Sequence, residues 1–213
     1  MIYWTDYNQQ SDYQTIEDYL TNRMLSFDRW PSKESSDCNV FDSDGSISYI
    51  EPLMSGARTS YLMAAMGGVG EFPDSVRNLF LTREKNSAGI HGVSLYIRGK
   101  PWHISLDDIL LYNYDNLYYA KHSLDGKAMW GAILEKAWAK LKGNYINMND
   151  GYVPNGMRVL TGAPVFSYAM RDLSTPDAGT TFHNLAKAND DLGYIASATV
   201  AGTDNRVLNA CGL

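Results

Sequence analysis

Cysteine is nearly absent from this chain: Cys38 and Cys211 are the only two among 213 residues. Two thiols so far apart in sequence exclude a disulfide framework and suit a reduced, intracellular setting. Basic runs are missing as well. No cluster of five or more Lys or Arg occurs, the formal net charge is −6 and the pI is near 5.1. That balance argues against a general nucleic-acid binder, which needs a basic face, and against a nuclear tag or a basic membrane patch. No apolar run approaches the roughly 18 residues of a spanning helix. The first residues, MIYWTDYNQQSDY, carry neither a charged n-region nor an apolar h-region, so neither a signal peptide nor membrane insertion is expected. Histidine is scarce: His91, His103, His122 and His183 show no HxxxH or His–Cys spacing of the kind that holds zinc.

What remains is an ordinary globular composition, 45% hydrophobic and 20% charged, with fifteen tyrosines. A chain of this length buries a real core. Residues 1–12 read as a polar, Tyr-rich arm. Ser11 or Asp12 then caps an expected helix from Tyr13 to Ser26, with Ile16, Tyr19, Leu20 and Met24 on one face. Pro31 to Asn39 reads as a loop. The compact apolar run Tyr61 to Val69 suits a buried helix ended by Gly67-Gly68. From Ile90 the pattern alternates: IHGVSLYI and PWHISLDDIL form a hairpin across Arg98-Gly99-Lys100, and a Tyr-rich loop follows Asp107-Asp108. Tyr112, Tyr114, Tyr118 and Tyr119 offer aromatic faces, but no basic residue interleaves with them until Lys121, so packing rather than nucleic-acid stacking is expected. Ile133, Leu134, Ala137 and Leu141 recur at helical spacing before a Gly143 stop. A polar loop, a short apolar segment and a Thr161-Gly162 turn come next. Thr180 to Asn189 reads as a short helix and Leu192 to Val200 as a strand. Helices first, then a hairpin, then a helix imply an α+β fold.

The run from Trp130 to Gly162, WGAILEKAWAKLKGNYINMNDGYVPNGMRVLTG, resembles the LLEKAYAKLxGSY…LTGG segment of the calpain-type, papain-like cysteine peptidases. Gly99 to Asp108 resembles the same family's G-x-W-x-x-V-x-V-D-D segment, and Cys211-Gly212-Leu213 the start of its G-L-V-x-G-H-A-Y stretch. The resemblance implies the family's helical nucleophile lobe with a small β-hairpin. It divides the chain into an N-terminal arm and helix over 1–40, a first protease-core lobe over 41–178, and the start of a truncated second lobe over 179–213.

The family's nucleophile segment reads Q-G-x-L-G-D-C-W-x-L-A-A, and residues Met54 to Ala65 fall on it. Ser60 then stands at the nucleophilic cysteine, Met54 at the oxyanion-stabilising glutamine, and Arg58-Thr59 at the Gly-Asp before the nucleophile. A hydroxyl is far less acidic than a thiol, and a thioether donates no hydrogen bond. The general-base His and its orienting Asn are expected beyond Leu213. Together these losses imply decayed catalysis.

Calcium is the one cofactor to weigh. Asp42, Asp44, Gly45, Ile47 and Glu51 sit in register with an EF-hand loop, but Val40 stands at its first ligand position and Pro52 follows Glu51. The stretch therefore reads as an acidic turn entering a short strand. In calcium-regulated family members an acidic residue just before the nucleophile binds the ion, a place that Glu51 matches. Its partner carboxylate falls at Asn155, a neutral ligand. The expected site, Glu51, Asp42, Asp44 and Asn155, is weakened or empty, so no cofactor is expected beyond a vestigial calcium.

The resulting reading is a catalytically inactive calpain-like protein, a structural module held in a larger assembly by other protein subunits. It is expected in the cytoplasm, with the cytoskeleton as one setting. The alternative is a calcium-dependent cysteine endopeptidase represented by an inactivated or incomplete chain. A third class is a calcium-responsive binding module.

Overall fold

A computed structural model of the chain describes residue 18 and residues 20–42, 44–49, 59–120, 127–149, 151–168 and 178–197. Strand β1 is Leu25–Arg29, and helix α1, Trp30–Lys33, follows at once with Pro31 in its first turn, where no amide is needed. Helix α2 is Ser60–Gly70 and α3 is Pro73–Arg77. Strands β2, Ile90–Ile97, β3, Lys100–Asp107, β4, Ile109–Asn113, and β5, Asn116–Leu117, come next. Helices α4, Trp130–Lys142, α5, Val153–Thr161, and α6, Ala178–Asp191, follow, with a 3-10 turn at Ile146–Met148 after α4. Mixed helices and two small antiparallel sheets make the chain α+β, as the element order implied.

The β2–β3 hairpin stands where the alternation placed it. Ile97 pairs with Lys100, leaving Arg98 and Gly99 as a two-residue turn at φ +52° and +74°. Two successive positive φ values match the right-handed twist of the strands, and a glycine takes the second without strain. The run does not continue through Ile109, however. β4 leaves the hairpin to join a second sheet, ordered β1–β4–β5 and antiparallel throughout. The expected Tyr-rich loop is therefore a second tight hairpin, turning at Tyr114 with φ +53°. Tyr112 is fully buried there, and its hydroxyl donates to Glu34 at 2.9 Å.

Other boundaries also move. Residues 20–22 are helical, but Met24 at φ +53° breaks the run, and Leu25 and Ser26 belong to β1. Residues 13–17 and 19 of the expected helix lie outside the described residues. Part of the Pro31 loop is the turn of α1. The apolar segment before Gly162 is the helix α5, closed by Gly162 at φ +69°. Residues 192–197 are turn and coil rather than strand.

Helix α2 runs through Gly67-Gly68 instead of ending there. A Cβ on Gly68 would lie 2.7 Å from the Ala196 carbonyl, and one on Gly70 would lie 2.9 Å from the Tyr49 Cα. These glycines permit close backbone approach and do not signal a stop. The core is centred on α4, whose Trp130 to Glu135 and Ala137 to Ala139 are all buried, so this helix is covered nearly all round. Trp30, Leu62, Met66, Leu95, Met129 and Met148 complete its interior. Burial of each such side chain contributes about 1.5–3 kcal/mol.

Candidate functional site

Ser60 is the first residue of α2, and its side chain is exposed. The preceding Thr59 is fully buried, and its carbonyl accepts from the amides of Leu62 at 2.9 Å and Met63 at 3.2 Å. The Thr59 hydroxyl does not cap the helix and completes no hydrogen bond. Beneath it lies Glu135 of α4, only 1% exposed. Glu135 Oε2 accepts from the Ala120 amide at 2.6 Å, whereas Oε1 has no partner. Burial pushes this carboxyl up to about 7, against smaller opposing effects of the Ala120 amide and the nearby Thr59 hydroxyl. The place where family resemblance sets a nucleophile is thus underlain by a buried carboxyl whose proton affinity burial raises.

The histidines lie elsewhere. His91, 1% exposed, packs its ring 5.9 Å from that of Trp30, and burial lowers its pKa. Nδ1 of this buried ring has no hydrogen-bond partner. His103 shares a hydrogen bond with Ser94 across the hairpin at 3.2 Å. His183 is exposed on α6. Among the described residues no imidazole hydrogen-bonds Ser60. Met54, Glu51, His122 and Cys211 lie outside the described residues, while Cys38 is fully buried.

The acidic turn forms, and residues 45–49 behind it are coil and turn where the strand was expected to begin. The Gly45 amide donates to the Asp42 carbonyl at 2.7 Å with Gly45 at φ +74°, and the Ser46 amide donates to Asp44 Oδ1 at 2.8 Å. Hydrogen bonds from Ser46 hold Asp44 below the usual carboxylate range, with a small contribution from Arg77. Arg77 of α3 donates to the Gly45 carbonyl, so a guanidinium already occupies the oxygen-rich side of the turn. Asn155 is in the first turn of α5 and lines a groove of about 640 Å³ with Arg98, Lys142 and Arg158. Neither Asp42 nor Asp44 lines that groove. Among the described residues no group of three or more His, Cys, Asp or Glu could hold a metal ion. Cations thus stand beside the described members of both candidate ligand sets, while Glu51 lies outside the described residues.

Sequence reasoning missed Glu135 and the cationic groove. Glu135 had a signal, since it lies between Leu134 and Ala137 on the stretch that the apolar repeat already marked as core. The groove had none, because its cations come from separate elements. Among the described residues no helix is long and apolar enough to cross a membrane.

Comparison with known proteins adds the following. The family described as calpain family cysteine protease matches residues 54–213. Calpain clp-4 of Caenorhabditis elegans is 37% identical over 78 residues, covering 37% of this chain and 11% of that protein. The calpain-1 catalytic subunit of Homo sapiens is 33% identical over 84 residues, covering 39% of this chain and 12% of its own length. Calpain-5 of Caenorhabditis elegans is 28% identical over 132 residues, covering 59% of this chain and 20% of its own. The matched stretches thus amount to no more than a fifth of those relatives.

Proposed function

Because the chain belongs to the calpain family of cysteine proteases, we propose that it is a catalytically inactive member acting as a structural or interaction module in a larger protein assembly. On this reading α2, α4 and α5 with the β2–β3 hairpin form the family's helical nucleophile lobe, and Ser60 stands in place of its nucleophilic cysteine. The observation that carries the reading is Ser60 itself. A helix N-terminus lowers a thiol's pKa into the range where the anion is the reactive species. The same field acts on a hydroxyl that starts far less acidic, and no base among the described residues reaches it. Met54, at the oxyanion position of the family motif, removes an amide donor that would be worth about 3 kcal/mol to the transition state. A substitution at the nucleophile and another at the oxyanion position are independent losses, which a single engineered change would not produce.

Calcium has no part in this reading, since Arg77 stands at the acidic turn and Arg98, Lys142 and Arg158 surround Asn155. The setting it implies is the cytoplasm, with cytoskeletal assemblies as one location and other protein subunits as partners.

The test is hydrolysis of a fluorogenic casein substrate with and without calcium, by the chain as it stands and by its Ser60→Cys variant. Neither is expected to exceed buffer. Turnover by the variant alone would mean that one residue separates this chain from an active endopeptidase, and turnover by the unaltered chain would end the inactive reading.

A further inference from the structure

The groove that contains Asn155 has a charge character opposite to that of the whole molecule. Its walls come from the β2–β3 turn, the end of α4 and the length of α5. None of its lining residues is acidic, although the chain as a whole carries six more negative than positive charges. Arg98 sits on the hairpin turn, Lys142 on the last turn of α4 and Arg158 midway along α5, all three exposed. Among the described residues none of the three forms a salt bridge. The Lys142 ammonium lies 5.0 Å above the Trp138 ring, and Arg158 Nη2 donates to the Val165 carbonyl at 3.3 Å, which holds both side chains at the groove. Between the cations the floor is apolar, formed by Tyr96, Trp138, Leu141 and Val159.

We propose that this groove is the docking site for an acidic, extended segment of a protein partner, whose carboxylates meet Arg98, Lys142 and Arg158 while an apolar side chain packs on Tyr96, Leu141 and Val159. Three observations select that occupant. Unpaired cations around an apolar floor favour a ligand with acidic and apolar side chains in alternation. An inorganic anion alone would leave most of 640 Å³ unfilled. A nucleic acid needs an extended basic face, which three cations on a chain of net charge −6 do not make. The Asn155 amide, having both a donor and an acceptor, can pair with the peptide backbone of such a segment. The inference rests on the interaction-module reading for its biological role, but the groove's chemistry can be tested without it.

The experiment uses fluorescence anisotropy of a labelled Glu-Leu alternating octapeptide titrated with the full chain, beside its Gln-Leu counterpart. The acidic peptide is expected to bind at least tenfold more tightly, with affinity falling as salt rises. Lys142→Glu and Arg158→Glu should each weaken it tenfold or more. Lys142→Gln and Arg158→Gln should weaken it less. All four substitutions are at two solvent-facing positions, so thermal unfolding of the variants checks that the fold persists. Equal binding of the two peptides, or charge reversals without effect, would overturn the proposal. So would tighter binding of inorganic phosphate or of a single-stranded oligonucleotide to the same groove. Failure here together with silence in the casein assay would remove the groove and leave the inactive reading standing, whereas casein turnover would do the reverse.

Discussion

Trp138 and Tyr61 share a buried hydrogen bond, in which the indole Nε1 donates to the phenol oxygen at 2.7 Å. The phenol in turn donates to the Met148 carbonyl at 2.8 Å. Trp138, at one end of this relay, lines the cationic groove, and Tyr61, at its centre, directly follows Ser60. The relay therefore joins α4, α2 and the 3-10 turn through groups that have no access to water. A Cβ on Gly151 would fall 2.4 Å from the Tyr61 ring, so the loop before α5 is fitted closely against the same side chain.

Tyr61→Phe keeps the ring and removes the oxygen, stranding an indole N–H and a backbone carbonyl together. Leaving such groups unpaired in the interior costs roughly 1–3 kcal/mol. Urea unfolding should show a loss of that size at unchanged m-value. A variant as stable as the parent would mean that water replaces the phenol and that the relay is not closed.

Glu135 makes stability depend on pH in a direction opposite to that of a paired carboxylate. Its carboxyl is raised from 4.5 to about 7 by burial, so between those values the folded chain holds a proton that the unfolded chain has released. Its contribution is fully present below pH 4.5, declines as the pH rises to 7, and stays lost above. At about 1.4 kcal/mol for each pH unit, the whole effect is at most about 3 kcal/mol. His91 works the other way: burial lowers its pKa, so the unfolded chain takes up more protons below about 6.5 and stability falls with falling pH. The two overlap, and the difference between parent and Glu135→Gln separates them. That difference should move in favour of the variant between pH 4.5 and 7, read from urea midpoints. Parallel curves would show that Glu135 does not titrate in this window.

How much of this could be read from the sequence depended on how local its cause was. The β2–β3 hairpin was legible because alternation and a Gly turn are set by adjacent residues, and α4 was legible because its apolar repeat and Gly143 are as well. The β1–β4 pairing was not, because Leu25 meets Asn113 only through tertiary packing and the short strand carries no alternation of its own. Gly67-Gly68 misled for a related reason. A glycine pair reads as a helix stop until the Tyr49 and Ala196 backbones are seen lying against it. Of the site, Ser60 at a helix start was legible, since motif order placed it. The buried pair of Thr59 and Glu135 was not, because the sequence separation between them conceals that both oxygens lie behind Ser60.

Arg29 and Asp108 form a two-pronged ion pair, Nε to Oδ1 at 2.8 Å and Nη2 to Oδ2 at 2.6 Å, between the end of β1 and the start of β4. Asp108 is 3% exposed, whereas the Arg29 side chain is half exposed. Removing the arginine strands a buried carboxylate, which is worse than removing both partners. Arg29→Ala should lower the urea midpoint measurably, and adding Asp108→Asn should recover part of the loss. If the double variant were less stable than the sum of the two single losses, the stranded charge would not be the cause.

The acidic turn gives the sharpest statement about calcium. An EF-hand loop gains its ion because several carboxylates and a carbonyl would otherwise repel one another around an empty centre. In this turn the Gly45 carbonyl already accepts from Arg77, and Asp44 is held ionised by Ser46. Arg77 is anchored in its turn by Asp74 at 2.9 Å. An incoming calcium ion would meet the positive charge of a guanidinium that the fold already places beside the turn. Millimolar calcium should therefore leave the thermal midpoint of the parent unchanged. Arg77→Ala should lower that midpoint, and if the carboxylates retain any capacity for the ion, calcium should restore it in this variant and not in the parent. A calcium-dependent rise in the parent would mean that Glu51 completes a site despite the arginine, and the calcium-free reading would fail.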